Sequence, residues 1–136
     1  MEEARDYEGK RDFRKEAADW GKLAERLTCE HIVSQGYPIT ETNWRIGNHI
    51  EIDIISIQGD EIAFIEVKAR NGKYQHPEDA IDLKKMKKMV KGANIYLQRQ
   101  EHDYTARFDV ALVEGSPSDY EFTYIRDAFV PPLTAR

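Results

Sequence analysis

Cysteine is nearly absent from these 136 residues: the single Cys29 excludes an internal disulfide and any cysteine-based metal cluster. Long apolar runs are missing too. None approaches the roughly 18 residues that span a membrane, and the N-terminal stretch is charged rather than signal-like. A cytoplasmic protein without a membrane partner is the expectation. Basic excess is also lacking: 25 acids against 20 bases give a formal charge of -5. That excludes a protein coating nucleic acid by bulk charge, though not a local basic patch. What is present is 40% hydrophobic and 33% charged residues, enough for one soluble domain with a modest core.

Residues 1–19 carry seven acids and five bases with little apolar content, and read as a charged, solvated extension. Residues 20–130 form the single expected domain, and 131–136 a tail. Trp20, Leu23 and Leu27 step at helical spacing toward Ser34, with Asp19 as cap and Gly36 as stop. An irregular first strand is expected around 37–45. A second helix is expected over 78–99, where Ala80, Leu83, Met86, Val90, Ala93 and Leu97 recur, with Glu78 and Asp79 in its first turn. Phe108–Val113 and Tyr120–Ile125 read as strands separated by a turn at Gly115-Ser116-Pro117. The order predicts a mixed α/β domain.

The informative stretch is 49–68. Two β-branched, alternating runs flank Gly59-Asp60, a plausible two-residue hairpin loop. That loop pairs Ile57 with Ile62, Ile55 with Phe64, Asp53 with Glu66 and Glu51 with Lys68, all on one face. The opposite face, Ile50, Ile52, Ile54, Ala63, Ile65 and Val67, is expected as core. A three-residue loop would shift the pairing and break this match. Away from the turn the first face gathers three carboxylates and one lysine. Like charges so placed cost free energy unless something offsets them, and a divalent cation held by two or three oxygens plus waters does so. Lys68 would then contact a scissile phosphate and help position water. The plainer alternative is a solvated strand end with an ordinary Glu51–Lys68 ion pair.

Asp53, then twelve residues, then Glu66-Val67-Lys68, resembles the signature of the PD-(D/E)XK nuclease superfamily. More closely, the chain resembles the small bacterial YraN family (UPF0102), predicted endonucleases similar to archaeal Holliday-junction resolvases. The likeness runs from about Gly21 to Val113. It includes Glu25, Gly36-Tyr37, Asn43-Trp44-Arg45, Glu51-Ile52-Asp53, Phe64 through Arg70, the Pro77/Ala80/Lys84 pattern and Arg107-Phe108-Asp109-Val110. It departs at Ile50, where members usually carry glycine. The resemblance implies a restriction-endonuclease-like core, a central mixed β-sheet flanked by α-helices. It implies Asp53 and Glu66 as ligands of Mg²⁺ or Mn²⁺, Lys68 as catalytic lysine, Glu25 completing the site and Glu51 supporting it from behind. The implied activity is DNA phosphodiester hydrolysis, at branched or structured DNA. Many DNA-cutting enzymes of this type are dimers, and a homodimer stays open here.

Charge distribution agrees with a phosphate partner. From Lys68 to Lys91 there are eight bases and three acids; from Glu101 to Asp127, seven acids and two bases. Arg70, Lys84, Lys87, Lys88 and Lys91 are the candidate nucleic-acid contacts, the alternative being a solvated helix surface. His49 and His76 flank the site as loop residues. Cys29 and Asp109 read as structural, and Trp44 as core rather than a stacking platform. Two other functions stay in view: a non-catalytic nucleic-acid-binding module on the same fold, and a protein-interaction domain using the acidic C-terminal third.

Overall fold

A computed structural model describes residues 13–72 and 76–131. Most of the charged extension, Lys73 and the last five residues lie outside that range. Helix α1 spans Phe13–Ser34, followed by strands β1 (Glu41–Ile46), β2 (Ile50–Gln58) and β3 (Glu61–Arg70). A 3₁₀ turn at Pro77–Ala80 leads into helix α2 (Leu83–Gln98), then β4 (Thr105–Ser116) and β5 (Asp119–Ile125). The five strands form one sheet in chain order, antiparallel except for the parallel β3–β4 pair. A parallel neighbour needs a crossover, and α2 supplies it. The fold is therefore α/β, a five-stranded mixed sheet with a helix on each face, consistent with a restriction-endonuclease-like core.

Both sheet faces are buried. On one, Ile32, Ala24 and Trp20 of α1 cover Ile54, Ala63, Ile65, Ala111 and Val113. On the other, Met89, Val90, Ala93 and Tyr96 of α2 cover Ile52, Ile55, Ile62, Phe64, Phe108, Val110 and Leu112. Gly92 is what lets α2 lie against β2. A Cβ there would stand 2.8 Å from Ile50 Cγ2 and 3.1 Å from Ile52 Cδ1. Isoleucine is stiff at χ1, so it cannot swing aside cheaply. Gly92→Val should lower stability by about 2 kcal/mol through overpacking, read as a shifted urea midpoint with unchanged slope.

The hairpin register is as the loop predicts: Gln58 opposes Glu61, Ile57 Ile62 and Ile55 Phe64. Gly59 has φ 66° and Asp60 does not share the positive φ, the pattern of a type II′ turn. Several boundaries differ from expectation. Helix α1 begins by Phe13, because mixed-charge residues with good helix propensity extend it beyond its apolar stripe. The second helix begins at Leu83, not near 78. Asp82 caps it, its side chain accepting from Lys85 N at 2.8 Å, and Glu78 and Asp79 belong to the preceding 3₁₀ turn. Gly115 and Ser116 continue β4 opposite Tyr120 and Asp119 instead of forming the turn.

Candidate metal centre and its surroundings

The ladder between β2 and β3 stops at Ile54–Ile65, so the expected rungs Asp53–Glu66 and Glu51–Lys68 do not form. The alternation of β2 slips at the same place. Ile50 and Ile52 pack toward α2, as does Ile55, while Ile54 packs toward α1. The expectation that Ile50, Ile52 and Ile54 share one face is thus corrected. On β1, the neighbouring Asn43 takes φ 51°, and no rung is formed between it and Asp53. Such a local dislocation re-aims a side chain. Here it turns the Asp53 carboxylate into the gap between the strands, where Oδ2 accepts the Val67 N–H at 2.8 Å. The acid takes the place of the missing ladder partner.

Groups from both faces of the sheet converge on that gap. From the α2 face comes Glu66, only 4% exposed, with Asp53 as its acidic neighbour. Lys85 Nζ lies 3.4 Å and Lys68 Nζ 3.8 Å from Glu66 Oε2. From the α1 face comes Glu25, which with Lys22, Asn43, Asp53, Val67 and Ala69 lines a depression beside the gap. Burial, then the charges of Asp53 and Glu51, push the Glu25 carboxyl up, and a hydrogen bond from Asn43 opposes this. Burial, then the hydrogen bond and charge of Asp53, push Glu66 up to about 8 against the pull of Lys85 and Lys68. The cluster thus keeps a proton where two carboxylates would otherwise repel.

That proton has a consequence for stability. The folded Glu66 carboxyl holds its proton to about pH 8, whereas the unfolded one releases it near 4.5. The native state binds more protons across that window, so stability is full below it and falls as pH rises through it. Thermal melts of metal-free protein from pH 5 to 8 should show this fall, and Glu66→Gln should flatten it.

Other candidates sit as follows. Glu51 pairs with Arg45 across β1 at 3.3 Å, not with Lys68. Arg70 is exposed at the end of β3, with Nε 3.5 Å from the Asn71 carbonyl. Lys84 and Lys91 are exposed on α2, while Lys87 and Lys88 are half-buried. His49 and His76 are exposed. The Cys29 thiol is pushed up by burial, then by Glu25 and Glu30, the opposite of a nucleophile's environment. Trp44 packs edge-on against Tyr96 at 5.2 Å. Asp109 is fully buried in β4 opposite Ile65, accepting from Arg107, from Tyr124 Oη and from Asp127 N. Burial alone would lower the Arg107 guanidinium, but the hydrogen bonds and charges of Asp109 and Glu61 raise it.

Lys85 and Asn43 were not singled out for the site on sequence grounds. Lys85 carried a readable signal: it stands four residues before buried Met89, on the helical line facing the sheet. Asn43 carried none, since its role follows from a positive φ in β1.

Among the described residues no three carboxylate, imidazole or thiol groups form a closed ligand set. The residues nevertheless fit a hard divalent cation. Mg²⁺ commonly takes one or two carboxylates and keeps several waters. Asp53 and Glu66 supply two neighbouring carboxyls, and Glu25 lines the depression beside Asp53.

This is an α/β domain whose sheet is parted at one end around clustered carboxyls and lysines. The chain belongs to the family described as "Uncharacterised protein family UPF0102", whose model matches residues 24–113. It is 37% identical to a UPF0102 protein of Bacteroides thetaiotaomicron, the alignment covering 83% of this chain and 93% of that protein. It is 40% identical to a UPF0102 protein of Syntrophus aciditrophicus, covering 80% and 87% respectively. No helix among the described residues is long and apolar enough to cross a membrane.

Proposed function

We propose that the chain is a metal-dependent endonuclease hydrolysing phosphodiester bonds in DNA, with branched or structured DNA as its substrate class. The observation that carries this reading is the Asp53 carboxylate turned onto the Val67 N–H in the parted sheet, with the buried Glu66 next to it and Lys68 and Lys85 on Glu66. Asp53 and Glu66 would hold Mg²⁺ or Mn²⁺, with Glu25 acting through water. The metal would lower the pKa of a bound water and offset charge developing on the phosphate. The protein's own groups do the rest. The Val67 N–H fixes the Asp53 carboxylate, so little ordering remains when the cation arrives. Glu66 is buried, which strengthens its electrostatics. Lys68, 39% exposed at its side chain, swings from Glu66 toward a phosphate oxygen and orients the attacking water. Asn43 lines the same depression as Glu25 on the opposite side.

The test is cleavage of labelled four-way junctions, flaps, duplexes and single strands with Mg²⁺ or Mn²⁺. Lys68→Ala should cut turnover about 10²- to 10³-fold, the usual cost of one preorganised charge donor, with divalent binding retained. A purified, folded protein that cuts none of these substrates would overturn the enzymatic reading.

A further inference from the structure

On the α2 side of the site, the β1–β2 turn and the first turns of α2 enclose a second cleft. Arg45, Gly47, His49, Glu51, Lys85 and Lys88 line it. We infer that this cleft seats a backbone phosphate of the nucleic-acid strand whose neighbouring phosphate lies at Asp53 and Glu66. The inference rests on the nuclease reading and adds to it where the strand runs.

Three features point to a phosphodiester occupant. The cleft carries three permanent cations against the single carboxylate of Glu51. Lys85 belongs to both places, lining the cleft while its Nζ lies 3.4 Å from Glu66. A strand entering here therefore reaches the carboxyl pair across one side chain. A cation at the pair would also compete with Lys85 for Glu66 and free the ammonium for the cleft.

The third feature is the Arg45–Glu51 pair. Its side chains are 67% and 36% exposed, so it contributes little stability and yields its guanidinium at small cost. Glu51 meanwhile keeps Arg45 extended along the cleft wall. Arg45 presents a planar fork suited to phosphate oxygens, and Lys88 a point charge one helical turn beyond Lys85. Gly47, at φ 59°, makes the turn that brings β1 and β2 round this wall.

This placement departs from a simple helix-surface contact. Of Lys84, Lys87, Lys88 and Lys91, only Lys88 lines the cleft. The experiment compares two charge-matched double variants of the full chain, Arg45→Ala/Lys88→Ala and Lys84→Ala/Lys91→Ala. Affinity for a fluorescein-labelled DNA duplex, its single strand and a four-way junction is read by anisotropy in EDTA across a salt series. Arg45, Lys84 and Lys91 are exposed and Lys88 is half-buried, and melts confirm that both variants fold. The cleft pair should lose about tenfold or more in affinity, with the salt slope reduced by about 2; the control pair should change the slope by less than about 1. Equal losses in both variants, or no loss in the cleft pair, overturn the inference while the nuclease reading stands. If the wild-type chain binds none of the three DNAs, the nuclease reading fails and this inference with it.

Discussion

Asp53→Asn is expected to leave a folded protein of equal or greater stability that binds no divalent cation and has lost DNA cleavage by at least about 10³-fold. The asparagine oxygen can still accept the Val67 N–H, so the parted strands keep that link. The amide nitrogen can donate to Glu66, removing the repulsion that pushes Glu66 up. Relief of a like-charge contact of this kind is worth about 1 kcal/mol in favour of the fold. The loss of function follows from the same change. A metal supplies several kcal/mol of transition-state stabilisation, and each 1.36 kcal/mol is tenfold in rate. Alanine at the same position is a poorer test, because it also strands the Val67 amide. Opposite signs on stability and activity are the signature of a site built against the fold's own preference. Melts and single-turnover cleavage on one preparation measure both.

The largest expected effect on stability lies in the buried charge cluster of β4. Asp109→Ala removes the acceptor for the Arg107 guanidinium, the Tyr124 hydroxyl and the Asp127 amide at once. Arg107 is only 6% exposed and would keep partial pairing to Glu61 and Gln58. Breaking a buried pair by deleting one partner typically costs about 3–5 kcal/mol. The segment from Asp127 to Phe129 should loosen as well. It is tied down by Asp127 N on Asp109 and by Phe129 stacked on Phe108 at 4.9 Å. Guanidinium denaturation should show the loss. Divalent binding, measured well below the unfolding midpoint, should not change, because Asp109, although opposite Ile65 in β3, spends its carboxylate on Arg107, Tyr124 and Asp127, none of which belongs to the carboxyl cluster. A cluster of charges in a candidate enzyme thus has a purely structural occupation.

The sequence made the hairpin legible because its signals are local. Gly59 supplies the positive φ that the turn requires, and alternating β-branched runs set the register on either side. The same locality explains what was not legible. The slip at Asp53 depends on three partners distant in sequence: β1 with its positive-φ Asn43, the Val67 amide, and α2 pressing on Ile50 and Ile52 through Gly92. Strict alternation therefore put Asp53 and Glu66 on one rung, whereas they meet through a gap in the sheet. The carboxyls of the cluster and Lys68 could be named from sequence and resemblance; Lys85 and the way they meet could not. The start of α2 was misplaced for a related reason. Glu78 and Asp79 suit a first turn by charge, but Asp82 makes the capping hydrogen bond. Moving that start to Leu83 sets the phase that turns Lys85 toward Glu66. The overall charge of -5 averages unlike regions, and the cleft beside α2 is locally cationic.

The central claim is that the parted strands form a divalent-cation site around Asp53 and Glu66. It is tested most directly by titrating Mn²⁺ into wild-type and Asp53→Asn protein by calorimetry at pH 8. Single-site binding in the wild type that disappears in Asp53→Asn, both proteins remaining folded, is the predicted result. Equal binding by the two proteins, or none by the wild type, would contradict the account.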